Sequence, residues 1–129
     1  MIERLTDRWR REVAEQAQQV AAGTLAREHA YAAMAWPPEF IDAVDARLTA
    51  YEREVAQLGP APTDQAVWRA VERVVLTLND VQTGIDTMTR EELCEYIDDV
   101  VTAAGVDVDA VTERRDLDRS QLTDEWRDF

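Results

Sequence analysis

The densest run of ionisable side chains is Glu91, Glu92, Glu95, Asp98 and Asp99. Wound into a helix, these five carboxylates fall within an arc of about 120°. Leu93, Cys94, Ile97, Val100, Val101 and Ala104 fall on the opposite side. The acids are therefore expected to face away from the core. The helix dipole accounts for acids in a first turn, so it explains Glu91 and Glu92 in part. It does not explain Glu95, Asp98 or Asp99. Glu91–Glu95 and Glu95–Asp99 are like-charge pairs four residues apart, each costing about 0.2–0.5 kcal/mol on an isolated helix. A basic partner would relieve that repulsion. The leading expectation is a partner-binding face formed by Glu91, Glu95, Tyr96, Asp98 and Asp99, with Tyr96 at its edge. The plainer alternative is a solvated face tolerated by a stable fold.

The same residues carry a resemblance. The string Glu91-Glu92-x-x-Glu95, followed by Glu113-x-x-Asp116, resembles the two-part acidic motif of the MazG-like all-α nucleotide pyrophosphatases. That resemblance implies a helical bundle in which carboxylates bind Mg²⁺ and a nucleoside triphosphate is hydrolysed to its monophosphate. By motif, Glu91, Glu92, Glu95, Glu113 and Asp116 would be the metal ligands. Carboxylate and water oxygens suit the hard Mg²⁺ ion. Such a site needs its acids turned inward, whereas a binding face needs them outward. Facing therefore separates the two readings. The strings TREELCEYID (89–98) and LTDEWRDF (122–129) also resemble the C-terminal third of small acidic bacterial proteins with no assigned activity, which implies no residue roles.

Other candidate chemistry is thinner. Asp116, Asp118 and Ser120 stand at the first, third and fifth positions of a calcium-loop pattern. The glycine and glutamate that such a loop needs at its sixth and twelfth positions are Gln121 and Arg127. His29 is the single histidine and Cys94 the single cysteine. A zinc site and an intramolecular disulfide framework are therefore not expected. Cys94 borders the apolar side of its helix, which suits a buried, inert thiol better than a nucleophile paired with His29. No P-loop, Rossmann glycine pattern or nucleophile elbow is present. Trp9 and Trp68 fall on expected core faces. Trp126 lies among charges, where it is expected to pack the C-terminal segment down.

Charge narrows the classes further. The formal net charge of the 129 residues is −13. Residues 1–59 hold ten acids and seven arginines, and residues 60–129 hold seventeen and seven, leaving −3 and −10. A polyanion repels phosphate, which argues against nucleic acid and anionic lipid as partners. A target of this charge is cationic: a basic protein surface or a metal ion. All fourteen basic residues are arginine, which reads as a coding bias. Met1–Arg11 has no apolar stretch, so no signal peptide is expected, and no apolar run approaches a membrane span. A cytoplasmic protein is the corresponding expectation.

These residues must be positioned by helices. A first helix is expected from about Ile2 to Met34, with Ile2, Leu5, Trp9, Val13, Ala17 and Val20 three or four apart and a kink or split at Gly23-Thr24. Pro37-Pro38 opens a second, carrying Ile41, Val44, Leu48, Tyr51, Val55 and Leu58 at heptad spacing. That seam fits an antiparallel neighbour within the bundle, or alternatively a homodimer. Gly59-Pro60-Ala61-Pro62 stops it. Thr63 or Asp64 caps a third helix whose broad stripe, from Val67 through Val71, Val74 and Val75 to Leu78, predicts the most buried element. Ile85 is a candidate plug for the core in the following turn. Thr89-Arg90-Glu91-Glu92 reads as a capping box that starts the fourth helix, ending before Gly105. A short fifth helix is expected over about Val108–Arg115, and a last turn within Gln121–Phe129.

The expected fold is a single all-α domain over 1–129, a bundle of four to five helices. The expected role is a non-enzymatic interaction domain for a basic protein, with no assigned catalytic residue, metal or cofactor. Size, charge and helicity invite comparison with immunity proteins that neutralise nuclease toxins. The competing role is the Mg²⁺-dependent hydrolase implied by the pyrophosphatase resemblance.

Overall fold

Helical periodicity runs the length of the chain, and the computed structural model is correspondingly all-α across the residues it describes, 2–129. Met1, which opens the stretch inspected for a leader, lies outside the described residues. The α-helices are α1 (Leu5–Ala21), α2 (Ala32–Ala35), α3 (Pro38–Ala56), α4 (Asp64–Asn79), α5 (Thr87–Ala103) and α6 (Val108–Glu113). Four are long; α2 and α6 are short. No strand occurs among the described residues. No helix among them is long and apolar enough to cross a membrane.

The heptad seam of α3 is spent inside the chain. Val44 and Leu48 are fully buried, and Ile41, Tyr51 and Val55 nearly so. They pack with the stripe on α4, where Val67, Ala70, Val71, Val75 and Leu78 are inaccessible to solvent or almost so. Gly59 adopts φ +78, the left-handed region that lets the chain turn out of α3, and Thr63 caps α4 by accepting from the Ala66 N–H. The seam thus packs against α4 within the chain, the first of the two neighbours its spacing allows.

The long first helix is also corrected. It begins at Leu5, and Ile2 is exposed. Of its apolar positions only Leu5 and Trp9 are fully buried, while Ala17 is exposed. Past Trp9 the helix has little core to grip. Gly23 at φ +78 then ends it outright, and the chain passes through a single 3₁₀ turn, Arg27–His29. The Gln16 side chain accepts from the Ala32 N–H at 2.9 Å, which folds α2 back onto α1. The end of the expected first helix, residues 32–34, thus belongs to a return segment and not to a continuation of α1.

Buried aromatic residues tie the layers together. Trp9 stacks on Trp36 at 5.1 Å and on Phe40 at 5.9 Å. Gly84 is required where the loop before α5 passes over Phe40: a Cβ there would meet the ring at 2.6 Å. Ile85 packs against the core, as expected. The Tyr51 hydroxyl donates 2.7 Å to the Ile97 carbonyl of α5. Burial raises the pKa of that hydroxyl well above the usual tyrosine value. At the other end, Trp126 meets Trp68 edge to face at 6.0 Å, and its carbonyl accepts from Asn79. The C-terminal segment is packed down, as the sequence suggested.

Candidate functional site

The acids of interest lie on α5, which is fixed in the bundle by Leu93, Tyr96, Ile97, Val100 and Val101. The helix starts three residues earlier than its capping box implied. Asp86 is the N-cap and accepts from the Thr89 N–H at 2.8 Å. Thr89 is a buried first-turn residue whose hydroxyl accepts from Trp36 Nε1 at 3.1 Å. The Thr89 signature therefore misplaces the cap by three residues: its side chain serves a tryptophan, and an aspartate does the capping.

Neighbours across the bundle divide the five acids. Glu92 turns toward α1: its carboxylate accepts from Trp9 Nε1 at 2.8 Å and pairs with Arg8 at 3.4 Å. Asp98 turns toward the C-terminal segment, where Arg119 donates to both of its oxygens at 2.8 and 2.7 Å. Burial works to raise the Asp98 pKa, but the Arg119 guanidinium and the Thr102 hydroxyl outweigh it, and the net direction is downward. Glu91, Glu95 and Asp99 remain exposed along one line of the helix. None of the three forms an ion pair among the described residues. Burial, then Glu95 and Asp98, push the Asp99 carboxyl above its ordinary value, with Arg119 and Arg8 pulling weakly the other way.

Tyr96 requires correction as a partner-binding residue. Only 6% of it is exposed, and its hydroxyl donates to Glu52 of α3 at 3.0 Å. Arg4 grips the same carboxylate through two 2.9 Å bonds. Burial and then the Glu52 contact raise the Tyr96 pKa. Its place on the wheel is the border of the acidic arc, and α1 and α3 cover that border. Asp98 is likewise withdrawn from the open face by Arg119.

Beside the exposed acids lies a cleft of about 640 Å³ between α5 and the C-terminal segment. Arg90, Arg119 and Arg127 line it together with Glu91, Cys94 and Glu95. Cys94 was expected to be buried; at the border of the apolar side it is only half-buried, because it lines the cleft. Arg127 Nη1 lies 2.9 Å from its sulfur and the Thr123 hydroxyl 3.4 Å away. His29 sits on an exposed turn and is not part of this cleft, so no thiol–imidazole pair forms there. Arg119 and Arg127 are the residues that sequence reasoning passed over. The signal was present in the Asp116–Ser120 string, which reads as oxygen donors with one arginine. Asp118 instead caps the following 3₁₀ turn, bonding Ser120, and frees Arg119 to reach Asp98 and Asp109.

The metal set carried over from the pyrophosphatase resemblance is not brought together. Glu92 is committed to Trp9 and Arg8. Glu113 ends α6, and Asp116 follows it on the positive-φ turn at +57, outside the cleft that Glu91 and Glu95 border. Among the described residues, no three His, Cys, Asp or Glu side chains are grouped so as to hold a metal ion. The donor geometry does not fit Mg²⁺ bound by these five residues.

No family model, curated protein or solved structure matches this chain.

Proposed function

We propose that this chain is a non-enzymatic interaction domain that binds a basic protein through Glu91, Glu95 and Asp99. The observation that carries the reading is the division of labour on α5. Arginines lie on either side of the helix, yet Arg8 pairs with Glu92 and Arg119 with Asp98. The three acids between them keep their mutual repulsion, and Asp99 is held with a raised pKa. Such a row favours any guanidinium or ammonium group that docks against it. The excess of negative charge in residues 60–129 would speed encounter with a cationic surface.

A labelled helical peptide with arginine at every fourth position tests this at low and moderate salt. Saturable binding that weakens with salt and is lost in a Glu95→Gln/Asp99→Asn variant is expected. A Glu28→Gln/Glu39→Gln variant, which removes the same charge elsewhere, should retain affinity. Equal loss in both variants would reduce the attraction to bulk charge and overturn the proposal.

A further inference from the structure

The acidic row continues into apolar surface at its N-terminal end. Met88 lies on the same face of α5 as Glu91, Glu95 and Asp99, all within about 80° of arc, over a length of about 16 Å. Met88 is 41% exposed. The buried Trp36–Thr89 hydrogen bond holds α2 against this first turn of α5. Met34, two residues from Trp36, is 81% exposed, and Tyr31, edge-on to the Trp36 ring at 6.3 Å, is 51% exposed. Few large apolar side chains of the described chain are exposed at all; Met34 follows Tyr31 by one turn, its N–H donating to the Tyr31 carbonyl, and Met88 directly precedes the Thr89 to which Trp36 is bonded. The Trp36 ring itself is buried, stacked on Trp9, which also stacks on Phe40.

We infer that this composite face docks a basic amphipathic helix, with an apolar side chain seated on Tyr31, Met34 and Met88 and basic residues running along Glu91, Glu95 and Asp99. The inference rests on the reading of the acidic row given above and adds the shape of its partner. The i, i+4 spacing of the acids places successive carboxylates about 6 Å apart, which is the spacing that every fourth residue of a second helix presents. Flexible methionines suit an anchor site because they adapt to the side chain received. Apolar anchors with flanking charge are the recognition mode of a helix laid on a helical surface. A second copy of this chain is the poorer occupant, since a row of acids offers its own image no counter-charge.

The test uses the full chain and two synthetic helical peptides with arginine at every fourth position. One carries a terminal leucine–phenylalanine anchor, made in both chain orders, and the other has serines in its place. The anchored peptide is expected to bind about tenfold tighter. A Met34→Ser/Met88→Ser variant should erase that gap while leaving the serine peptide's affinity unchanged. If both peptides bind wild type equally and both are lost in Glu95→Gln/Asp99→Asn, the anchor is overturned and the acidic row stands. A gap that survives the methionine substitutions also overturns it. If neither peptide binds, or both ignore Glu95→Gln/Asp99→Asn, the acidic row itself is overturned. Sedimentation of the peptide-free chain completes the set: self-association abolished by Met34→Ser/Met88→Ser would assign the face to a second copy and overturn the helix partner.

Discussion

Glu91 and Glu92 are neighbours, as are Asp98 and Asp99, yet the members of each pair do different work. One residue of advance turns a side chain by about 100° around the helix. That rotation takes Glu92 into the seam with α1, where it meets Trp9 and Arg8, and leaves Glu91 outside. At the other end it gives Asp98 to Arg119 and leaves Asp99 in the open. The helix is thus anchored by its outermost acids in the arc and advertises the diagonal between them. An acidic helix is not one surface. The edges of its arc hold the fold, and its crest is free for a partner.

The anchoring role predicts the largest effect. Trp9 is completely buried, and Glu92 is the acceptor for its indole N–H. Glu92→Ala leaves that donor unsatisfied and is expected to cost about 2 kcal/mol. Glu92→Gln keeps an acceptor and should cost less. Urea midpoints at constant slope measure both. If Glu92→Ala were as stable as wild type, the contrast between edge and crest would collapse. Next in size is Asp98→Asn. Arg119 is 38% exposed and keeps Asp109, so solvent screening limits the loss to about 1 kcal/mol. The effect should be local, seen as faster amide exchange from Arg115 to Phe129 with α3 and α4 unchanged.

This division was only half legible in the sequence. Periodicity located α3 and α4 well because a bundle core imposes a 3.6-residue repeat on every helix that borders it, and their prolines, glycines and caps carry local chemistry. The acidic arc of α5 was equally plain. What a helical wheel lacks is the neighbour. Which element covers Tyr96, or that Arg119 swings from the C-terminal segment onto Asp98, is a matter of contacts far apart in sequence. The same gap explains α1. Its stripe repeats at the right spacing past Trp9, but nothing packs over Ala17, and α2 returns through the Gln16–Ala32 hydrogen bond. Thr89 shows the converse. Its local signature predicted a cap, and Trp36 claimed its hydroxyl.

The crest should behave oppositely to the edges. Glu95→Gln/Asp99→Asn removes two like-charge contacts at i, i+4 and is expected to raise stability by about 0.5 kcal/mol. The same variant should lose the basic peptide. Stability and binding moving in opposite directions is the signature of a functional face, since a purely structural acid would lose both together.

The smallest effect is a difference in sign with pH. Both aspartates start from an ordinary value of 3.8. Asp98 is lowered in the folded protein, so its contribution is present above 3.8 and is lost as pH falls through its folded pKa. Replacing it by Asn should therefore matter at neutral pH and cease to matter in acid. Asp99 is raised, so the folded form holds its proton more tightly than the unfolded chain does. Below 3.8 both forms are protonated and Asp99 makes no difference. As pH rises through 3.8 and then through its folded pKa, a penalty develops and stays. Asp99→Asn should then gain stability over wild type only on the neutral side of that window. Carboxyl carbon shifts followed by NMR would separate the two directly, with Asp98 titrating below 3.8 and Asp99 above it. Two adjacent aspartates titrating together would mean that Arg119 does not distinguish them, and that the edge of the arc and its crest are electrostatically one surface.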